Sequence, residues 1–258
     1  MDRRRFLLIP LAGVLAAPLE AGTQPPSTVH RVGILAQDLQ PGLLETFRDE
    51  LQRLGYGDRS IVIDVRNAGG KGERLLPLVD DLLRRKVEVI VAVNTPAAKA
   101  AQKATTTVPI VIMRVADPVK AGLIRSLAHP GSNITGLSFM PDVLGAKAIE
   151  ALCQTIPSIS RVAAFYKADN PGALLVVTET ERRSAELGVR FERLPVQDPS
   201  DFPQGFAPAA RSGAQAASVM DDGAMTKLRR SFLSHAARRS LPVVSIYKDF
   251  AEAGGLFA

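Results

Sequence analysis

Short apolar runs, long enough for a strand and too short for a buried helix, alternate along this chain with amphipathic helical stretches. Residues 31–35 (Arg-Val-Gly-Ile-Leu) precede a stretch that places Leu44, Phe47, Leu51 and Leu54 on one face and ends at Gly55, a residue suited to closing a helix. Residues 61–65 and then Leu75, Leu78, Val79 and Leu82 repeat the pair. A strand at 87–93, apolar except Glu88, a helix at about 96–104 and a strand at 110–113 complete the first half. Strands apolar on both faces belong in a parallel sheet covered by helices on both sides. The second half repeats the order. It has a strand at 162–166, a helix at about 174–187 closed by Gly188, strands at 189–194 and 216–220 around a helix near 206–211, a basic helix at 225–239, and an apolar run after Leu241-Pro242. The pattern predicts two similar α/β lobes with parallel sheets, at 29–138 and 139–258, with 133–139 crossing between them.

A chain of 258 residues with 46% hydrophobic content is large enough for two lobes with their own cores. The N-terminus has a separate character. Arg3, Arg4 and Arg5 precede an apolar run from Phe6 to Ala17, with small residues near Ala21 and Gly22. A basic start, a run of about 12 apolar residues and a small-residue zone are the parts of a removable export signal, and the run is short of the roughly 20 that span a bilayer. Residues 1–22 are therefore expected to be a signal peptide and 23–28 a linker, with no stable membrane insertion after removal and a periplasmic destination. The order Arg3-Arg4-x-Phe6-Leu7 points to the twin-arginine route. The formal net charge of +6 is spread over that start and over helices, as at Arg84-Arg85-Lys86, Arg229-Arg230 and Arg238-Arg239. With aromatics at 5% and no Trp, this is a set of solvated helix faces rather than a nucleic-acid surface. The single Cys153 excludes an internal disulfide and a cysteine zinc site, and its apolar helical setting predicts a buried thiol.

Ligands of open parallel sheets bind beyond the carboxyl ends of the strands, so the residues there are the candidate site. Gln37 and Asp38 follow the first strand, Asn94-Thr95-Pro96 the third and Asp117-Pro118 the fourth; Asn170-Pro171 and Asp221-Asp222 follow strands of the second half. Thr95 and Asp117 each precede a proline, so each is expected to cap a helix facing the cleft, where free N–H groups suit a carboxylate. Gln37, Asn94, Thr95 and Asp117 from one lobe, and Asn170 and Asp221 from the other, are the expected ligand-binding set. Phe139, Tyr166 and Tyr247 stand near strand ends and are placed to flank a ring. Catalytic signals are weak. His30, His129 and His235 have no neighbour at metal or triad spacing, and neither G-x-S-x-G nor H-E-x-x-H occurs. The Gly69-Gly70-Lys71-Gly72 run lacks the Ser or Thr of a phosphate loop and is expected to open the second helix. No catalytic residue, cofactor or metal is expected.

Several stretches together resemble the ABC-transporter substrate-binding proteins of the group that includes tryptophan- and tyrosine-type binding proteins. They are Leu54-Gly55-Tyr56, residues 82–91, Thr95-Pro96-Ala97-Ala98, Ala116-Asp117-Pro118-Val119, His129-Pro130-Gly131-Ser132-Asn133-Ile134-Thr135-Gly136, Leu144-Gly145-Ala146-Lys147 and residues 250–256. The resemblance implies two Rossmann-like lobes of the periplasmic-binding-protein type. It also implies an amino-acid-like small organic ligand held between them and delivery to an ABC transporter permease. Family members continue past the segment matched by Gly254-Gly255-Leu256, so the resemblance implies that a second crossing and part of the core lie beyond Ala258. The 258-residue chain is accordingly expected to be less stable and to close less tightly than an extended one. Two alternatives stay open: a soluble α/β enzyme acting on a small anion through Asp117 or Asp221, and a ligand-sensing module of similar fold.

Overall fold

The structure, a computed structural model, describes residues 29–257 apart from 41, 58, 140, 198–200 and 221–222, and excludes the side chains of 142, 223 and 224. The expected signal and linker, residues 1–28, lie outside the described residues. The first lobe contains β1 (His30–Ala36), α1 (Leu43–Arg53), β2 (Ile61–Asn67), a 3-10 turn (Gly72–Arg74), α2 (Leu75–Arg84), β3 (Val89–Val93), α3 (Thr95–Ala104), β4 (Ile110–Ala116) and β5 (Ile134–Phe139). The second contains α4 (Pro141–Thr155), β6 (Arg161–Lys167), α5 (Pro171–Ala185), β7 (Arg190–Val196), α6 (Phe202–Arg211), β8 (Ala216–Met220), α7 (Gly223–Lys227), α8 (Arg229–Ala237), β9 (Val243–Ser245) and α9 (Lys248–Glu252).

Two parallel sheets result, ordered β2-β1-β3-β4-β5 and β7-β6-β8-β9. The second repeats the first four positions of the first. Each sheet reverses its direction of growth once, between β1 and β3 and between β6 and β8. At such a switch point adjacent connections leave on opposite faces and open a crevice at the carboxyl edge.

The residues expected to cross between the lobes form β5 instead, paired with β4 from Ile110↔Ile134 to Ala116↔Phe139. A parallel pairing needs a long connection, and residues 117–133 supply it. Two other elements also differ from expectation. β3 begins at Val89, because Lys86 takes a left-handed φ of 57° and Glu88 turns out to accept from His30 Nδ1 at 2.8 Å. The expected basic helix at 225–239 is broken at Leu228 into α7 and α8.

Each lobe buries its own core. Leu35, Leu82, Ile90, Ile110 and Ile112 are fully enclosed where α2 and α3 lie on the first sheet, each contributing about 1.5–3 kcal/mol relative to exposure. On the opposite face α1 buries none of its residues completely, and Leu43, Leu44 and Phe47 rest half-buried against Ile34, Val91 and Val93. The second lobe is centred on phenylalanines. Phe165 lies 4.7 Å from Phe206 and 4.9 Å, edge-on, from Phe232, a geometry that adds to simple burial. Cys153 is half-buried beside Ile149 and Leu152, and burial pushes its thiol pKa up.

The lobes touch through α5. Leu175 packs on the first core and Ala116 on the second, and Lys120 of the first lobe approaches Glu179 of α5 at 3.7 Å. Glu179 also accepts from Arg182 at 2.6 Å and from Arg183 at 3.2 Å. These bonds, the Arg182 bond foremost, hold its carboxyl at about 2 rather than 4.5. A depressed carboxylate stabilises the fold above its unfolded pKa and loses that contribution as pH falls through the folded one. Between about pH 4.5 and pH 2 the melting temperature of the native chain should therefore fall more steeply than that of Glu179→Gln. Calorimetric scans across that window test this, and parallel curves would count against it.

Candidate functional site

The carboxyl edges of the two sheets face each other across a cleft with an empty volume of about 510 Å³, part of it open to solvent. The first lobe lines it at the ends of β3 and β4 and just after β1, and the second lobe with the start of α5 and with Tyr247. β3 ends at Val93, and Asn94 then takes a φ of 77°, a left-handed conformation that asparagine accepts more readily than most residues. That turn brings its side chain back to accept from Ala97 N at 3.2 Å, so Asn94 is the N-cap of α3. Thr95, expected to be the cap, is the first helical residue. It is 2% exposed, and its Oγ1 accepts from Ala116 N at 3.3 Å, fixing the end of β4 to the start of α3. In the second lobe Asn170 caps α5 by accepting from Gly172 N at 2.9 Å, with Pro171 at the first position. Both helices thus direct N-termini into one cleft from opposite lobes, where partial positive charge accumulates.

Of the expected set, Asn94, Thr95 and Asn170 line this cleft together. Gln37 does not. It is 1% exposed at the end of β1, and its Nε2 donates to Asp169 Oδ2 of the other lobe at 3.2 Å, which makes it a strut between lobes. Asp117 also lies outside the lining. Its Oδ1 accepts from Lys120 N at 3.0 Å and caps a turn rather than a helix, because the backbone does not continue helically past Ala121. Asp221 lies outside the described residues. Phe139 and Tyr247 line the cleft with ring centroids 6.3 Å apart, whereas Tyr166 packs into the second core.

Further lining residues come from places where the sequence pattern is silent. Asp38 pairs with Lys227 of the opposite lobe. Arg114 donates to Gln40 Oε1 and lies over the Tyr247 ring at 5.6 Å from its centroid. The available signal for Arg114 was one cation inside an apolar strand run, and that run was expected to stop at Met113. The glycine run at 69–72 leads into α2 as expected; Gly70 N donates to Gln37 O at 2.7 Å. Among the described residues the lining contains no histidine, cysteine or serine, and Asp38 is its one carboxylate.

Residues 34–258 match the family described as ABC transporter substrate binding protein. The chain belongs to this family. A tyrosine-binding protein of Clostridioides difficile (strain R20291) is 34% identical over 122 residues, which make up 46% of this chain and 34% of that protein. An ABC domain from Streptococcus pneumoniae in complex with L-Trp superposes with a TM-score of 0.80 at 23% identity, covering 89% of this chain and 78% of that one. The ligand-free, open form of a substrate-binding protein with adhesive properties from Clostridium difficile gives a TM-score of 0.58 at 25% identity, covering 88% and 78%. This family member shares its fold with the two solved structures. No helix among its described residues is long and apolar enough to cross a membrane.

Proposed function

We propose that the chain is the extracytoplasmic receptor of an ABC importer. It takes an aromatic, amino-acid-like carboxylate into the cleft and hands it to the permease without altering it. The observation that carries this reading is the convergence of two capped helix N-termini, at Asn94 and Asn170, on one cleft from opposite lobes. Such termini suit a carboxylate, and Phe139 and Tyr247 supply a flank for a ring. Among the described residues the lining offers no paired nucleophile and base, since the one carboxylate among them is held by Lys227, which favours carriage over catalysis. Tyrosine and tryptophan, the ligands in the names of two similar proteins, have this combination of groups. The Arg3–Arg5 segment and the apolar run after it support export, by the twin-arginine route, to the periplasm.

A thermal-shift screen of amino acids, nucleosides and small carboxylates tests the reading. At a hundredfold excess over Kd, a ligand stabilises by about 2.7 kcal/mol, or roughly 5–10 °C for a chain of this size. L-tyrosine or L-tryptophan is expected to produce that shift, and a flat response to both would end the proposal.

A further inference from the structure

We infer that Arg114 is the specificity residue of the cleft and that its guanidinium is the group that selects a ligand bearing a carboxylate. The inference rests on the reading of the cleft as a ligand site and adds which side chain discriminates. Arg114 sits at a dislocation in β4. Pairing with β5 runs in register to Ile112↔Gly136 and resumes at Val115↔Ser138, so β4 has one extra residue that bulges out of the ladder. Arg114 itself has a φ of 54°, a conformation that a long side chain avoids. A bulge redirects a side chain, and the side chain redirected here belongs in the cleft lining. Strain of this kind persists where the surrounding structure enforces it, typically beside functional sites.

The guanidinium is held rather than satisfied. Gln40 accepts one N–H and Tyr247 supports its face, but among the described residues no carboxylate pairs with it. Among the described lining residues the other charge, Asp38, is already bound to Lys227. A half-buried arginine with its fork free is matched by a planar carboxylate, which accepts two parallel N–H bonds. The α3 and α5 N-termini raise the same local potential but cannot impose that planar geometry. Tyr247 places an aromatic surface beside the guanidinium, so one ligand can meet the arginine with its carboxylate while its ring lies near Phe139 and Tyr247.

Calorimetric titration of the purified chain with L-tyrosine and with L-tyrosinamide tests this. The pair differs in the carboxylate alone. The native chain is expected to bind tyrosine at least tenfold more tightly than the amide. In Arg114→Gln, tyrosine affinity should drop tenfold or more while amide affinity holds, so that the preference collapses. Arg114→Gly removes the side chain and relieves the left-handed strain, so it should melt no lower than the native chain and show the same collapse; it serves as the test if the glutamine variant folds poorly. A preference for tyrosine that survives in both variants would overturn the role of Arg114 and leave the cleft reading standing. Failure of tyrosine, its amide and tryptophan all to bind the native chain would overturn the cleft reading and this inference together.

Discussion

Replacing Gly172 with alanine is expected to weaken ligand binding by tenfold or more while leaving each lobe at least as stable as before. Gly172 occupies the first turn of α5, directly across the cleft from Thr95. A Cβ placed there would lie 2.4 Å from Thr95 Oγ1 and 2.9 Å from Thr95 Cβ, well inside the 3.5–4 Å at which carbon atoms rest. Thr95 cannot swing aside, because it is buried and its hydroxyl accepts from Ala116 N. The added methyl is therefore accommodated by separating the lobes. Within its own helix the change is mild, since alanine is a better helix former than glycine. The effect thus falls on closure, and each 1.4 kcal/mol of closure lost is tenfold in affinity. Titration with L-tyrosine, small-angle scattering and a melting curve on the same samples distinguish the cases. The expected combination is weaker binding, a larger radius of gyration and an unchanged or higher melting temperature. Thr95→Gly in the same chain removes the opposing atoms and should recover most of the affinity. Native affinity in Gly172→Ala alone would show that the lobes do not need this contact.

The sequence pattern reaches the site only as far as burial and strand ends can take it. Runs such as residues 89–93 and 162–166 are apolar on both faces because their strands are covered on both sides, so the parallel sheets and their carboxyl edges are legible. Asn94, Thr95 and Asn170 follow from that reasoning, since each stands within three residues of the end of a strand. β5 reads as a crossing in the sequence because it is an edge strand. Only Ile134 in it is fully buried, and residues 135–138 are exposed, leaving no apolar run to signal pairing. The cap at α3 shifts by one residue from Thr95 to Asn94 because the chain turns through a left-handed conformation there, a backbone property without a periodic signature. Asp117 fits the sequence signature of a helix cap, yet the segment it opens is a turn stabilised by Lys120. Gln37 fits the ligand set by its place after β1, whereas the paired Asp169 draws it into an inter-lobe strut. The bulge that turns Arg114 into the cleft arises from a register shift between two strands, which neither strand's sequence records alone.

That register shift also bears on the stretch at 129–136, one of those that carry the family resemblance. In the stretch from Pro130 to Gly136, the side chains of Ser132 and Asn133 bond to the backbone. Asn133 Nδ2 donates to Val108 O at 2.7 Å and to Thr105 O at 3.3 Å, while Asn133 O accepts from Ile110 N at 2.8 Å. These bonds align the start of β5 with β4. Two residues into β5, Gly136 has a φ of 137°, and a Cβ there would stand 2.2 Å from Ile112 O and 2.6 Å from Ile112 N. The obstacle is main chain, so no side-chain rotation relieves it. Gly136→Ala is therefore expected to cost about 3–5 kcal/mol, from a backbone conformation unfavourable to alanine and from forced displacement of β4. At roughly 2–4 °C per kcal/mol for a chain of this size, melting should fall by about 6–20 °C. The displaced strand carries Arg114 next to the dislocation, so carboxylate preference should fall in the same variant, at temperatures where it remains folded. Differential scanning calorimetry, followed by titration with tyrosine and tyrosinamide well below the transition, separates the two effects. A melting temperature within about 2 °C of the native chain would mean that β5 shifts register without penalty and that the glycine is not what sets the bulge.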